Sequence, residues 1–191
     1  MSCPNAVPVD PRVKRTRELL HHAMQELMHE KPISSISVSD ITERATINRA
    51  TFYAHFQTKE DLMQNILETK LQEALHQRFC PGVAFSLENV IALGETVYLF
   101  LEQSHGKCPK GASDKESILR STIQKEVFEM LSFWTKKEWP LPEFRGYTSE
   151  SVATVLSWAI FGGALQWVDS NPKLPARDHA SQLLSLIFRG S

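Results

Sequence analysis

Apolar residues recur along almost the whole chain with the spacing of one helical face. In the first segment, an apolar stripe occupies positions i, i+3, i+4, i+7 and i+8, formed by Leu20, Ala23, Met24, Leu27 and Met28. This spacing places them on one side of an α-helix. No run of residues alternates convincingly between apolar and polar, as a half-buried strand would. The pattern therefore predicts an all-α fold.

Capping residues and prolines divide this pattern into eight predicted helices. The first begins at Asp10-Pro11 and ends before Pro32, because aspartate caps helix N-termini and proline suits the first turn. The others are predicted to begin at Ser37, to run from Asn48 to about Phe56 and from Thr58 to about Phe79, and to span Leu87–Gln103, Asp114–Glu138, Ser149–Asp169 and Ala176–Arg189.

The helices are expected to form two domains, residues 10–57 and residues 58–191. The first three helices lie within residues 10–57, a stretch too short to bury a large core of its own. We therefore expect the helix that follows Thr58 to be shared by both domains. The boundary is then not a flexible linker.

Residues 37–56, SVSDITERATINRATFYAHF, predict two short helices joined by a tight turn, which is a helix-turn-helix unit. The third helix keeps a polar first turn, and such a turn reads base edges in the major groove of DNA. Arg49 can pair with guanine, and Asn48 with adenine, although its capping role competes. The predicted DNA-binding residues are Lys14, Ser37, Asn48, Arg49, Ala50, Thr51, Tyr53, His55 and Lys59, with Lys59 expected at a phosphate.

The run Ile47-Asn48-Arg49-Ala50-Thr51-Phe52-Tyr53-x-x-Phe56-x-x-Lys59-Glu60-x-Leu62, preceded by Ser37-Val38-x-x-Ile41, resembles the DNA-binding domain of the TetR family of repressors. The resemblance covers roughly residues 12–66. It implies a homodimer, a palindromic operator in double-stranded DNA, and a ligand that lowers the affinity for DNA. It also implies a dimer interface formed by the last two helices.

One residue departs from the family pattern, because Thr46 stands where the family usually has glycine in the turn. A β-branched residue at positive φ is costly. Either the turn is slightly rebuilt or Thr46 stays at negative φ. The departure keeps open an alternative function, in which the protein has lost DNA binding and acts through a protein partner.

The helix Ser149–Asp169 is apolar on two sides, so both sides must be buried. We expect one side to pack within its own domain and the other against a second copy of the chain, together with the last helix, in a four-helix interface. The alternative is that both sides belong to the chain's own core. The predicted interface residues are Val152, Leu156, Ile160, Gly163, Trp167, Leu183, Leu184 and Ile187.

Aromatic residues are concentrated in the C-terminal half. Most are expected to be core, but ligand pockets in helical domains are apolar cavities with a few polar groups. We predict a small apolar or aromatic effector; an aromatic lining would favour a flat or cationic one. The candidate pocket residues are Tyr98, Gln124, Trp134, Trp158 and Gln166.

Charge and composition describe an ordinary soluble protein: 191 residues carry a net charge of -1. Three cysteines, Cys3, Cys80 and Cys108, show no metal-ligand spacing, and the start of the chain shows no signal peptide pattern. We expect a cytoplasmic protein without a membrane span. No phosphate-binding or nucleophile motif is present in the sequence, so we expect no enzyme activity, no catalytic residues, no metal and no cofactor.

Overall fold

A computed structural model describes residues 10–79, 82–105, 113–139, 141, 144–170 and 173–189. These residues form α1 (Pro11–Glu30), α2 (Val38–Arg44), α3 (Arg49–Tyr53), α4 (Lys59–Arg78), α5 (Leu87–His105), α6 (Ser113–Glu138), α7 (Ser149–Asp169) and α8 (Ala176–Arg189). No strand occurs among them, which confirms the predicted all-α fold. Cys3, Cys80 and Cys108 lie outside the described residues.

Two local differences from the predicted helices matter for the site. A short 3₁₀ helix at Ile33–Ser35 follows Pro32 and was not expected; it turns the chain so that Ile33 and Ile36 are buried. The third helix ends at Tyr53 rather than near Phe56. The chain then turns, and Phe56 enters the core.

The chain divides into two compact units, and α4 runs through both. The first unit extends through Thr69 and takes in the start of α6 as far as Leu119. The second contains the rest of α4 from Lys70, α5, and everything from Arg120 onward. The division therefore falls close to the middle of α4 rather than in a loop, whereas the sequence placed it near residue 58.

The first unit is built around side chains that are fully buried at the crossing of its helices: Leu20, Met24, Ile41, Phe52 and Leu62. Burial of such side chains contributes about 1.5–3 kcal/mol each. An ion pair fixes α2 on α1, because the Arg44 guanidinium donates to both carboxylate oxygens of Glu30 at 2.8 and 2.9 Å. The short helix α2 is thus held against the longer α1, and α3 packs on α2.

In the second unit, α5, α7 and α8 pack closely on one another. Two glycines allow this approach. A Cβ on Gly94 would lie 3.3 Å from Ala180 and Leu184 on α8, and one on Gly163 would overlap the Tyr98 hydroxyl. The inner face of α7 is therefore in the chain's own core.

The helix α7 is also long and apolar enough to cross a membrane, judged by length and composition alone. Half of the most apolar stretch of α7 is buried against other parts of the protein. A core helix of a water-soluble protein has the same character, so this finding does not conflict with the predicted absence of a membrane span.

Candidate nucleic-acid interface

The turn between α2 and α3 is a Schellman motif. The Thr46 amide donates to the Glu43 carbonyl at 3.1 Å and the Ile47 amide to the Thr42 carbonyl at 3.0 Å, the two bonds that define the motif. Its central position requires the left-handed conformation, and Thr46 has φ +56°. Both sequence-based alternatives, a rebuilt turn and a negative φ at Thr46, are therefore wrong. The turn keeps its usual geometry, with a β-branched residue where glycine fits best.

The start of α2 is fixed by a capping box. The Ser37 hydroxyl oxygen accepts from the Asp40 amide at 3.1 Å, and the Ser37 amide donates to Asp40 at 2.7 Å. The Lys31 ammonium lies 2.9 Å from the same carboxylate. The hydrogen bond from Lys31, followed by those from Ser37, lowers the pKa of Asp40 to about 2. The Ser37 side chain is thus occupied by the cap.

The helix α3 presents a polar outer face because one side chain anchors its inner face. Phe52 is fully buried, whereas Arg49, Ala50 and Tyr53 are exposed. The Arg49 guanidinium lies 3.5 Å from the Tyr53 hydroxyl, one turn further along. An arginine beside a small alanine on an exposed helix start suits contact with base edges.

The side chain of Asn48 accepts two hydrogen bonds from Thr51 at the start of α3. The Asn48 side-chain oxygen accepts from the Thr51 amide at 2.7 Å and from its hydroxyl at 2.9 Å. The capping role that competed with base reading is therefore the one Asn48 fills in the protein without DNA.

Lys59 occupies a different place from the one expected of a phosphate contact. Its ammonium donates to the carbonyls of Ile33 at 2.9 Å and Ile36 at 2.8 Å, with Ser34 at 3.4 Å. The side chain is only 20% exposed. Lys59 therefore holds the first turn of α4 to the 3₁₀ helix. Sequence reasoning missed this role because the 3₁₀ helix itself was not predicted.

Lys14 and His55, two other predicted DNA-binding residues, lie outside α3. Lys14 is exposed on α1 and lies 3.9 Å from Glu18, while His55 is half-buried after α3. Arg17 was not proposed as a site residue, yet its guanidinium lies 5.7 Å from the centre of the Phe56 ring. This cation–π contact brings a positive charge of α1 next to the end of the α3 turn.

Residues 19–66 match the sequence profile described as "Bacterial regulatory proteins, tetR family", over the segment whose caps and turn are given above. Over residues 19–66 this chain is therefore similar to the tetR family. The same segment matches known regulators. The chain is 41% identical over 68 residues to the HTH-type transcriptional regulator YxbF of Bacillus subtilis. It is 38% identical over 61 residues to DhaS of Lactococcus lactis, an HTH-type dhaKLM operon transcriptional activator.

These sequence matches are confined to the tetR-family segment. They cover 35% and 32% of this chain, and only 18% of YxbF and 33% of DhaS. The chain thus matches less than half the length of either relative. The relatives are regulators rather than enzymes, and the shared segment is the DNA-binding one.

Solved structures extend the likeness in fold to nearly the whole chain. The transcriptional regulator FadR from Bacillus subtilis, in complex with stearoyl-CoA, superposes with a TM-score of 0.60 at 16% identity, over 91% of this chain and 98% of that one. NalD of Pseudomonas aeruginosa, a secondary repressor of the MexAB-OprM multidrug efflux pump, gives 0.51 at 20% identity, over 94% and 96%. At these identities the likeness shows the fold: a tetR-type N-terminal domain followed by helices.

Most of the predicted interface residues on α7 and α8 are buried in the single chain. The buried members are Val152, Leu156, Ile160, Gly163, Trp167 and Leu184. On the single chain these side chains are covered by other parts of the protein, although Val152 and Leu156 also border a pocket next to Ile187. The opposite side of α7 is exposed instead. Both sides are apolar in sequence, which is why the pattern did not distinguish them. Leu183 and Ile187 are half-buried.

The five candidate pocket residues lie in different surroundings. Tyr98 packs on Trp167 and His179, with ring centroids 5.7 and 5.6 Å away. Trp134 packs on Phe79 instead. The remaining three are Gln124, whose amide donates to the Ser157 hydroxyl at 3.0 Å, and Trp158 and Gln166, which are exposed on α7. That these residues surround one ligand stays a prediction.

Proposed function

We propose that this protein is a homodimeric, sequence-specific DNA-binding transcriptional regulator, released from a palindromic operator by a small effector with an apolar body. The observation that carries the proposal is the exposed face of α3, where Arg49, Ala50 and Tyr53 point away from a helix anchored by Phe52. The tetR-family match over residues 19–66 supports it. Such a regulator works in the cytoplasm, where the DNA is.

Arg49 is the residue proposed to read bases. Arginine pairs with guanine through two hydrogen bonds, and one good pair of this kind discriminates by about 1–3 kcal/mol. Asn48 caps α3, and Lys59 is held by carbonyl groups. Lys14 and Arg17, both exposed on α1, are the better candidates for phosphate contacts, which position the protein without reading sequence.

Selection from a random pool of double-stranded DNA tests the proposal directly. A symmetric dimer with two α3 helices should enrich a palindrome whose half-sites lie about 34–36 Å apart, or a multiple of that distance. Absence of an enriched palindrome at low salt would favour the alternative, a regulator-like protein that acts through a protein partner. The strain at Thr46 is the observation that keeps this alternative worth testing.

The sign of regulation is proposed to be repression. NalD is named as a repressor and DhaS as an activator, so the family does not decide it. A reporter gene placed behind the selected operator should be expressed less when the protein is present. Higher expression would make the protein an activator.

The proposed dimer surface is the outer side of α7 with the neighbouring part of α8. This α7–α8 face comprises Tyr147, Val155, Trp158, Leu183, Leu186 and Ile187. Val155 is 54% and Trp158 57% exposed on the single chain, large values for residues that usually avoid water. Tyr147, Val155 and Ile187 border a pocket of about 280 Å³, so the face has a concave part as well as an apolar surface. A second copy would cover it.

Analytical ultracentrifugation tests this surface. The unaltered protein should sediment at about twice the 21.7 kDa chain mass. Trp158→Glu places a charge in the face and should give the monomer mass. Phe133→Glu is the matched control, because Phe133 is 63% exposed on α6, outside the face, and should leave the dimer intact. A dimer in both variants would place the interface elsewhere.

A further inference from the structure

A groove of about 440 Å³ lies between the end of α4 and the middle of α5. Its volume falls within the range of small-molecule sites in proteins. It is separate from the pocket on the α7–α8 face. The groove is lined by Ala74, Gln77, Arg78, Thr96, Leu99, Phe100 and Gln103, and none of these residues was predicted to bind an effector.

The lining is amphipathic. Ala74, Leu99 and Phe100 supply an apolar surface, while Arg78, the last residue of α4, adds a guanidinium to the lining. Leu99 is exposed at the rim. An apolar chain can therefore lie along α5 with its end at a positive charge.

The charge on Arg78 is only partly compensated. Its Nη2 pairs with Glu95, but the same carboxylate oxygen also accepts from Arg177 at 3.2 Å. Two guanidiniums thus share one carboxylate. The second partner of Arg177, Glu88, is largely exposed, where solvent weakens an ion pair.

The second terminal nitrogen of the Arg78 guanidinium makes only a weak hydrogen bond. Its Nη1 donates to the Thr96 hydroxyl at 3.4 Å, a long hydrogen bond. The Thr96 hydroxyl itself donates to the Ala92 carbonyl at 2.9 Å. Arg78 therefore retains donor capacity for an anion in the groove, and a charge-assisted bond would be stronger than the one to Thr96.

We propose that the groove between α4 and α5 binds a small amphipathic anion, with its carboxylate on Arg78 and its apolar chain against Leu99 and Phe100. This assigns the site and the charge of the effector, and it rests on the proposed ligand response. Arg78 is the last residue of α4, the helix that both compact units share. A ligand at Arg78 thus acts on that shared helix.

Calorimetric titration of the full-length protein with octanoate and its neutral amide, octanamide, tests the proposal. Octanoate should bind at least about tenfold more tightly, as expected for a hydrogen bond to a charged group. Added salt should weaken octanoate and leave octanamide unchanged. Equal affinities for the two compounds would overturn the proposal.

Three variants locate the binding. Arg78→Gln should abolish the preference for octanoate, and Leu99→Glu, at an exposed position that folding tolerates, should weaken octanoate selectively by repulsion. Glu95→Gln should tighten octanoate binding, because it releases Arg78 from its competing carboxylate. Arg145→Gln removes an exposed positive charge away from the groove and should change nothing. Wild-type binding in both Leu99→Glu and Arg78→Gln would refute the site.

The titrations contain no DNA, which separates this proposal from the proposed function. If no operator is selected but octanoate binds at Arg78, the groove stands and the regulatory role fails. If an operator is selected but octanoate and octanamide bind alike, the regulator stands and the anion site fails.

Discussion

The sequence pattern distinguishes exposed from buried side chains better in the first compact unit than in the second. In the first unit, Arg49, Ala50 and Tyr53 are predicted from the sequence to bind DNA and are exposed on α3, whereas the apolar Phe52 is fully buried. In the second unit, α7 is apolar on both sides, and only the packing on α5 and α8 separates core from surface. In a short capped helix, the spacing of apolar residues indicates which side is buried. In a long helix that is apolar on two sides, it does not.

The packing of α7 gives the largest expected effect. Gly163→Ala would place a Cβ against the fully buried Tyr98 ring and 2.5 Å from Leu183, and we expect it to cost about 1–3 kcal/mol of unfolding free energy as an overpacked core. Gly162 has nothing within 4 Å of such a Cβ, so Gly162→Ala should stabilise by up to about 1 kcal/mol, because alanine is the better helix former.

Both glycine variants should be measured by urea unfolding in the Trp158→Glu background, where packing against a second copy makes no contribution. Equal effects of the two substitutions would show that α7 does not approach α5 and α8 as closely as described.

Lys59 provides the next test, in the first unit. Lys59→Met removes the donor to the carbonyls of Ile33 and Ile36 and should cost about 1–3 kcal/mol, the usual contribution of a hydrogen bond to a charged group. Urea unfolding measures it. If stability is unchanged and affinity for all DNA sequences falls alike, Lys59 contacts a phosphate, as the sequence first suggested.

How well the sequence predicts a feature depends on how far apart along the chain its interacting residues lie. The caps at Ser37 and Asn48 depend on residues within four positions of one another, so spacing alone predicted where α2 and α3 begin. The bonds of Lys59 join residues 23 to 26 positions apart, through a 3₁₀ helix without a sequence signature. The groove at Arg78 likewise depends on how α4 packs on α5, which no local pattern records.

The turn before α3 offers a smaller effect of opposite sign. Thr46→Gly should stabilise the protein by about 1 kcal/mol, because it relieves the cost of φ +56° for a β-branched residue, less the entropy that glycine adds to the unfolded chain. Thr16→Gly, in the second turn of α1, is the matched control and should destabilise instead. Thermal unfolding compares the two. Destabilisation by Thr46→Gly would mean that the threonine side chain has a stabilising contact.

The smallest effect concerns pH and the capping box of α2. The folded-state pKa of Asp40 is about 2, below its ordinary value of 3.8, so its stabilising contribution is complete above about pH 4 and is lost as the pH falls towards 2. The difference in melting temperature between the wild type and Asp40→Asn should therefore shrink over that interval. A difference independent of pH would show that the charge on Asp40 does not matter.

The central claim is that Arg49 reads DNA from the exposed face of α3, and fluorescence anisotropy with the selected operator tests it most directly. Arg49→Ala should lose about 1–3 kcal/mol of binding and relax the preference at one base pair in each half-site. Lys14→Ala, as a phosphate-type control, should weaken all sequences alike and reduce the salt slope by about 1. If Arg49→Ala keeps both the affinity and the base preferences of the wild type, the exposed face of α3 does not read the operator.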